Sequence, residues 1–177
     1  MEFQHELIIP DEGFPFKVFL FEGGNGNYVR EKHWHTSIEI FAVLAGSLDF
    51  FVNKEEYPLK AGEQIISNSN EIHSIHAPEK NQTVVLQIPL KQFENYFTAQ
   101  RFIRFRGQEE TTDKKLTSLI KKLYKTYVDR ETGYEFKTMS IFYEIMYILI
   151  RDYRVTEAKE KEIRHSRRLD VLSKITT

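Results

Sequence analysis

The chain has 177 residues, of which 41% are hydrophobic, 14% aromatic and 29% charged, and its formal net charge is −1. This composition supplies a hydrophobic core and excludes a disordered chain, and the near-zero charge argues against a module that itself grips nucleic-acid phosphates. The absence of cysteine excludes disulfides and thiolate metal sites. The N-terminus shows no signal pattern and no apolar run approaches the length of a membrane helix, so we expect a cytoplasmic protein that makes no membrane contact.

Short segments rich in aromatic and β-branched residues follow one another over the first half of the chain. Residues 16–21 form one such segment and end in a glycine-rich turn signal at residues 23–27, and residues 38–52 are almost entirely strand-forming. Strands that recur at spacings of roughly ten residues are typical of an antiparallel sandwich or barrel, and a barrel also removes exposed strand edges. We therefore expect residues 1–90 to form a β-barrel with an N-terminal arm.

The hydrophobic spacing then changes from the period of a strand to that of a helix. An amphipathic helix capped by Asp113 or Thr112 is predicted by apolar positions at helical spacing. These positions are Leu116, Leu119, Ile120, Leu123, Tyr124 and Tyr127. Gly133 breaks the pattern, and a second helix, apolar round most of its circumference, is expected over about 134–153. Such a helix must be buried on more than one side, so residues 91–153 are expected to form a homodimer interface; packing of both sides within one monomer is the alternative.

Residues 154–177 form the third predicted region, a charged linker that leads into the start of a further helix. Charged residues dominate residues 154–168, which is typical of a solvated linker or an exposed helix. Helical apolar spacing resumes at Leu169, Leu172 and Ile175, and the chain stops within that pattern. We therefore expect this chain to be the first part of a longer protein.

The sequence His-Trp-His-Thr-Ser-Ile-Glu at residues 33–39 carries most of the chemical information. In a β-strand alternate side chains face the same side, so His33, His35 and Glu39 are predicted to project together, with the two imidazoles about 7 Å apart. Two histidines and one carboxylate suit iron, and imidazole also suits zinc, nickel and copper. His73 follows a predicted turn and is expected to come opposite them from a neighbouring strand.

Other residues near these positions are assigned by the same alternation. Phe41 shares the parity of Glu39 and is a candidate wall residue of a ligand pocket, with ordinary core packing as the alternative. Tyr28 and Arg30 are candidates for gating the mouth of the pocket or binding an anionic ligand, with simple exposure as the alternative for the arginine. Trp34 has the opposite parity and is predicted to pack rather than to line the pocket.

The spacing of these residues resembles the two cupin motifs. The first motif, Gly followed at a distance by His-x-His-x3-Glu-x6-Gly, is similar to the set Gly26, His33, His35, Glu39 and Gly46, with one extra residue after the first glycine. The second motif corresponds to Gly62, Asn68, Asn70, His73 and Ala77. Here asparagine replaces the usual proline and glycine, and alanine replaces the final asparagine. The resemblance implies that all four metal-binding positions of metallo-cupins are present, for a divalent ion such as zinc, nickel, iron or manganese.

The longer run over residues 33–75 resembles the N-terminal arm-and-barrel domain of AraC-family transcription regulators more closely than it resembles cupin enzymes. In that family two dimerising helices, a linker and a helix-turn-helix domain follow the barrel, which is the order of regions predicted here. The resemblance implies a mainly β fold with C-terminal α, a cupin-like antiparallel β-barrel followed by two amphipathic helices. It also implies a sensor rather than an enzyme, which binds a small-molecule effector of the sugar or organic acid class, forms a homodimer, and contacts DNA only through a domain absent from this chain.

Three functions remain open at this point. In the leading hypothesis an effector contacts a set of six candidate residues, namely His33, His35, Glu39, His73, Tyr28 and Phe41. The second is a metal-dependent cupin enzyme of dioxygenase or isomerase type, in which the histidines and the glutamate hold the ion. The third is a dimerisation module with no ligand, in which these groups form a hydrogen-bonded network. No nucleophile arrangement of the Ser-His-Asp kind and no phosphate-binding glycine loop stands out.

Overall fold

A computed structural model of the protein describes residues 4–24, 28–99, 102–156 and the single positions 164, 168, 169 and 171. The strands in this part of the chain are β1 (Gln4–His5), β2 (Lys17–Phe21), β3 (Tyr28–Trp34), β4 (Ser37–Ala45), β5 (Ser47–Val52), β6 (Glu55–Lys60), β7 (Gln64–Ser67), β8 (His73–Ala77) and β9 (Gln82–Pro89). The helical elements are a 3₁₀ helix (Leu90–Tyr96), α1 (Lys114–Asp129), α2 (Tyr134–Ile148) and a π-helical turn (Leu149–Tyr153). The predicted order of a β region followed by two helices is confirmed.

The strands form two sheets whose inner faces pack against each other. Sheet I has the order β1-β3-β8-β5-β6, and sheet II has the order β2-β9-β4-β7. Neighbouring strands are antiparallel except for the short β1, which runs parallel to β3. Side chains from both sheets fill the space between them, among them Phe41, Phe50, Ile75 and Val85. The inner space is therefore enclosed by the two sheets.

Sheet II presents different side chains to its two faces because side chains alternate along each strand. On β4, Phe41 points into the space between the sheets, whereas Ile38 and Ile40 point to the opposite face. Both α-helices pack on this opposite face, where Phe142 of α2 contacts Phe16 with ring centroids 4.6 Å apart. A single layer of strands thus separates the helices from the inner space.

Helix α1 begins where the sequence predicted. The carboxylate of Asp113 accepts hydrogen bonds from the backbone N–H groups of Lys115 and Leu116 at 2.8 and 3.2 Å, which is an N-cap arrangement. The apolar positions that the spacing predicted as the inner side of α1 include four that are buried, namely Leu116, Leu119, Ile120 and Leu123. Gly133 separates the two helices with a φ of 80°, a left-handed conformation that favours glycine.

Helix α2 buries one side within the described part of the chain. That side is formed by Thr138, Ile141, Phe142, Ile145 and Ile148. Three large side chains of the same helix face outward instead: Phe136 is 83% exposed, Tyr143 62% and Tyr147 58%. Of the apolar positions predicted for this helix, Phe136 is exposed, whereas Met139, Met146 and Ile150 are partly buried against the core.

The connecting segment, residues 102–113, runs back along β7 before α1 begins. The backbone N–H of Ile66 donates to the carbonyl of Gly107 at 3.4 Å. The side chain of Asn68 accepts a hydrogen bond from the N–H of Phe105 at 2.8 Å and donates one to the carbonyl of the same residue at 3.1 Å. The segment covers an edge strand of sheet II, which would otherwise expose unpaired backbone groups.

Some predictions concern residues that the structure does not describe. Most of residues 154–168, the helical spacing at Leu172 and Ile175, and Gly26 of the first motif lie outside the described residues. Within the described part of the chain, no helix is long and apolar enough to cross a membrane.

Candidate ligand and metal site

Four side chains predicted from motif spacing form a buried cluster between the sheets, called here the His/Glu cluster. One ligand atom from each of His33, His35, Glu39 and His73 lies within 4.8 Å of the other three. His33 comes from β3, Glu39 from β4 and His73 from the start of β8. The pairing of β3 with β8 places His33 opposite His73, so the prediction that a neighbouring strand brings His73 to the others is confirmed.

The prediction that residues 33–39 form a single strand is wrong. β3 ends at Trp34 and β4 begins at Ser37, and the two strands belong to different sheets. His35 lies in the break between them. His35 and Glu39 approach each other because the chain crosses from sheet I to sheet II at this point, and not because alternate residues of one strand share a face.

The three imidazoles of the cluster are held in the same way. Nδ1 of each ring lies within hydrogen-bond distance of a backbone carbonyl two residues away in the sequence. The pairs are His33 with Glu31 (2.9 Å), His35 with Ser37 (3.1 Å) and His73 with Glu71 (2.9 Å). A carbonyl oxygen only accepts, so each Nδ1 carries a hydrogen and donates it. In a neutral ring Nε2 then keeps its lone pair, which is the arrangement found where histidine binds a metal.

Both carboxylate oxygens of Glu39 have partners. Oε2 lies 2.9 Å from Nε2 of His35 and 3.1 Å from Nε2 of His73, and Oε1 accepts a hydrogen bond from Nε2 of Gln87 at 2.6 Å. An ionised carboxylate cannot donate. Each of the two contacts at Oε2 is favourable where a proton or a cation lies between the oxygen and the facing nitrogen.

Burial and mutual contact determine the charges in the cluster. Burial opposes ionisation of Glu39, but the charge of His35 and the hydrogen bonds from His35 and His73 hold the pKa of Glu39 well below its usual value. Burial also opposes a charged His35, and the adjacent Glu39 outweighs this effect and raises the pKa of His35. Burial, followed by the charge of His73, lowers the pKa of His33 to about 4. His33 is therefore neutral at pH 7.

The residues of the cluster fit a divalent metal ion. Three imidazole nitrogens and one carboxylate oxygen form a donor set that suits zinc, iron, nickel and manganese. A cation among these atoms would satisfy Oε2 of Glu39 and the Nε2 lone pairs at once, without protonation of the rings. Such an ion would supply Lewis-acid chemistry.

A chamber of about 230 Å³ lies beside the cluster, between the two sheets. Its apolar and aromatic wall consists of Phe19, Phe21, Tyr28, Phe41, Ile75 and Val85. Its polar wall consists of Glu6, Arg30, His33, Glu39 and Gln87. The structure thus places four of the six predicted site residues on the chamber wall, including Tyr28 and Phe41. The other two, His35 and His73, contact Glu39 without lining the chamber.

The rim of the chamber is partly closed by the N-terminal arm. Nη2 of Arg30 donates to Oε2 of Glu6 at 2.9 Å, and the same oxygen lies 3.5 Å from Nε2 of His33. Tyr28 is 40% exposed, and its ring centroid lies 4.7 Å from that of Phe21. Arg30 therefore has a carboxylate partner within the chain, and Tyr28 is a partly exposed residue of the chamber wall.

Six residues of the chamber were not assigned from the sequence, namely four apolar ones, Phe19, Phe21, Ile75 and Val85, and two polar ones, Glu6 and Gln87. Gln87 lies on β9 and is 3% exposed. A signal was present in the sequence, since Gln87 shares the parity of Val85 and is a lone amide on the inward face of an apolar strand. Glu6 offered none, because its partner Arg30 is 24 residues away along the chain. Trp34 is buried against His5, with ring centroids 4.5 Å apart, as expected for a packing residue.

Comparisons with known proteins agree with this architecture. The chain matches the family model of the AraC-like ligand binding domain over residues 15–146. Among similar solved structures, a cupin-2 domain protein from Shewanella frigidimarina has 22% identity and a TM-score of 0.37, with 41% of this chain and 69% of that chain covered. A Cupin 2 conserved barrel domain protein from Salinispora arenicola has 17% identity and a TM-score of 0.42, with 51% and 76% covered. A search of curated protein sequences gives no match.

Enzymes also occur among the similar structures. Bacillus subtilis oxalate decarboxylase, which has Mn(II) centres, has 20% identity and a TM-score of 0.38, with 42% of this chain and 21% of that chain covered. At these TM-scores the likenesses carry no argument about this chain. The family match, in contrast, spans well over half of the chain and includes the His/Glu cluster, β2 to β9, α1 and most of α2. The chain belongs to the AraC-like ligand-binding domain family.

Proposed function

We propose that this chain is the effector-sensing and dimerising part of an AraC-type transcription regulator. The observation that carries the proposal is the chamber of about 230 Å³ beside the His/Glu cluster. Ligand sites are mostly apolar cavities with a few convergent polar groups, and the chamber has this composition. Membership of a ligand-binding family supports the same role. We expect a small-molecule effector and no catalytic activity.

A ligand in the chamber would act on the helices through β4 and the connecting segment. β4 presents Glu39 and Phe41 to the chamber and Ile38 and Ile40 to the helices. Asn68, which follows β7, is hydrogen-bonded to the connecting segment that enters α1. A ligand shifts a conformational equilibrium only if it binds one state better than the other. We propose that the state it favours changes how the helices present a following helix-turn-helix domain to DNA.

Thermal unfolding against a panel of sugars, organic acids and small phenols tests effector binding. A ligand at about 100 times its Kd stabilises the folded state by about 2.7 kcal/mol, which raises Tm by several degrees. Val85→Phe fills the chamber and should abolish the rise. Val29→Phe, on a 54% exposed side chain of β3, is the matched control and should retain it. A panel that leaves Tm unchanged, or a rise that survives Val85→Phe, would count against the proposal.

The exposed side of α2 is the proposed dimer interface, with a second copy of the chain as the partner. Phe136, Tyr143 and Tyr147 give this side an aromatic surface, and contiguous exposed apolar surface commonly marks an interaction site. Sedimentation equilibrium should show a dimer that Phe136→Glu dissociates. Leu7→Glu places the same charge on another exposed apolar residue, 67% exposed in the N-terminal arm, and should leave the dimer intact. A monomeric wild-type chain would contradict this interface.

Control of DNA binding is tested on the complete gene product that contains this chain. Mobility-shift titrations with promoter DNA from neighbouring genes should show an affinity that changes when the effector is added. The same titration with Val85→Phe should lose the response while basal DNA binding remains. A gene product without a helix-turn-helix domain would contradict the transcriptional role.

A second candidate function is a metal-dependent cupin enzyme of dioxygenase or isomerase type. The observation that favours it is the His/Glu cluster, whose ligand atoms lie within 4.8 Å of one another. Elemental analysis of chain purified without chelator should then find about one equivalent of zinc, nickel, iron or manganese. His35→Ala should reduce this content, whereas His76→Ala should not, since His76 is half-buried beside Asp49 and outside the cluster. Substoichiometric metal that His35→Ala leaves unchanged would remove this candidate.

A further inference from the structure

We propose that the chamber selects a small single-ring molecule of the phenol class, whose hydroxyl donates a hydrogen bond to Oε1 of Gln87. The inference rests on the proposed function, because it requires that the chamber binds a ligand. It narrows the expected ligand from any sugar or organic acid to a neutral, mostly apolar ring with one donor group. The size of the chamber, the hydrogen bonds of Gln87 and the pairing of the nearby charges each contribute to it.

The volume of the chamber limits the ligand to about one ring. Apolar cavities of about 150 Å³ hold a molecule of the size of benzene. A chamber of about 230 Å³ therefore accommodates a six-membered ring with one or two small substituents. Phe19, Phe21 and Phe41 provide aromatic surface around this space, and aromatic rings pack favourably in edge-to-face or offset arrangements.

Gln87 provides an acceptor that has no hydrogen-bond partner among the described residues. Its Nε2 donates to Oε1 of Glu39 at 2.6 Å, and because a carboxylate only accepts, this contact fixes the orientation of the amide. The opposite atom, Oε1, is buried without a hydrogen-bond partner, and among the described residues Gln87 is the chamber-lining residue that has such an atom. A buried acceptor left unsatisfied costs about 1–3 kcal/mol. A ligand that brings an O–H or N–H group to this atom removes that cost.

The charges around the chamber disfavour a carboxylate ligand. The guanidinium of Arg30 is paired with Glu6 at 2.9 Å, so its charge is already matched within the chain. A carboxylate in the chamber would lie near the carboxylates of Glu6 and Glu39. It would also offer only acceptors to Oε1 of Gln87, so that this atom would stay unsatisfied.

A sugar is disfavoured by its number of hydroxyl groups. Each hydroxyl that enters an apolar space without a partner loses its hydrogen bonds to water, which costs roughly 1–3 kcal/mol. Phe19, Phe21, Phe41, Ile75 and Val85 form about half of the wall and offer no side-chain partner. A ring with one hydroxyl can direct it to Gln87 and pack its apolar part against this surface, whereas a ring with four or five hydroxyls cannot keep all of them away from it.

The test is a set of titrations of the 177-residue chain with phenol, toluene, benzoate and glucose. Binding is followed by the methyl NMR signals of Ile75 and Val85, which line the chamber, with Val84 and Ile88 as internal references on the opposite face of sheet II. EDTA is present so that a bond from the ligand to a metal ion cannot replace the hydrogen bond to Gln87. The signals of Val84 and Ile88 report whether the chain stays folded. Phenol should bind about tenfold more tightly than toluene, the ratio expected for one hydrogen bond of about 1.4 kcal/mol. Benzoate and glucose should bind more weakly than both.

A pair of variants tests the role of Gln87. Gln87→Leu should bring the affinity for phenol down to that for toluene. Gln82→Leu makes the same change at an exposed position of the same strand and should preserve the tenfold preference. The preference of the wild-type chain stands as a test even where Gln87→Leu fails to fold. If phenol binds no more tightly than toluene, benzoate or glucose, this inference is overturned and the proposed function stands. If no compound of the wider panel binds in the chamber, the proposed function itself is wrong.

Discussion

Gly107 of the connecting segment offers the sharpest test of how the helices are joined to sheet II. Gly107 is buried against Ile66 of β7, and a β-carbon added there would overlap the side chain of Ile66. It would also lie 2.7 Å from both Cα and the carbonyl oxygen of Ile66. We expect Gly107→Ala to destabilise the chain by pushing the connecting segment away from β7.

The size of the effect follows from the distances. Non-bonded carbon atoms pack at about 3.5–4.0 Å, so the connecting segment must move by about 1 Å. Ile66 cannot yield, because it is fully buried and the colliding atoms belong to its backbone and β-carbon. Overpacking of this kind costs about 1–3 kcal/mol, and loss of the hydrogen bond from Ile66 N–H to the carbonyl of Gly107 adds about 1 kcal/mol. We expect a total of about 3 kcal/mol, equivalent to a fall in Tm of roughly 6–12 °C in a chain of this length.

The matched control is Gly24→Ala. A β-carbon at Gly24 would have no atom within 4 Å, and its φ is not in the left-handed region. Alanine there should be neutral or should stabilise the chain by up to about 1 kcal/mol through the unfolded state. Urea unfolding, followed by circular dichroism and by the fluorescence of Trp34, the one tryptophan in the sequence, measures both variants. Equal midpoints for the two would refute the proposed close packing of the connecting segment on β7.

Three further substitutions test other contacts. Phe142→Ala removes a fully buried ring between α2 and sheet II and should lower the free energy of unfolding by about 3–5 kcal/mol. An unchanged Tm in calorimetry would show that this ring does not hold the helix on the sheet. Asp113→Ala removes the N-cap of α1 and the acceptor of the Tyr153 hydroxyl at 2.8 Å. The urea midpoint should therefore fall by the equivalent of about 2 kcal/mol. A change below about 0.3 kcal/mol would contradict the capping role. Gly46→Ala places a side chain on a residue with φ 72° and against a neighbouring backbone carbonyl. We expect the free energy of unfolding to fall by about 3 kcal/mol. Soluble protein with the wild-type Tm would exclude this strain.

The cluster could be predicted from the sequence because its members are marked by local chemistry. His33, His35 and Glu39 lie within seven positions of one another, and histidine and glutamate are rarely buried without partners. Asp113 was equally recognisable, since an N-cap depends on the residues that directly follow it. In both places the relevant physics acts over a short stretch of chain.

Contacts across the sheets could not be predicted in the same way. Strand alternation assigns a face to each residue, but it does not show where one strand ends and the next sheet begins. The break at His35 is such a point, and the single-strand interpretation failed there although the four ligand atoms still meet. The contact of Gln87 with Glu39 spans 48 positions and depends on the order of strands in sheet II. No local pattern encodes that order.

The two-faced character of β4 has a consequence for how this chain tolerates change over evolutionary time. Because side chains alternate along a strand, inserting or deleting one residue at the start of β4 would, without a compensating β-bulge, reverse the faces of the residues that follow it. Ile38 and Ile40 would then turn toward the chamber, and Glu39 would be driven between the strand and the helices without its imidazole partners. Substitutions can retune the chamber one side chain at a time, whereas a change in the length of β4 would remove the ligand site and the helix packing in the same event. We therefore expect homologous chains to vary in residue identity along β4 but to keep its length.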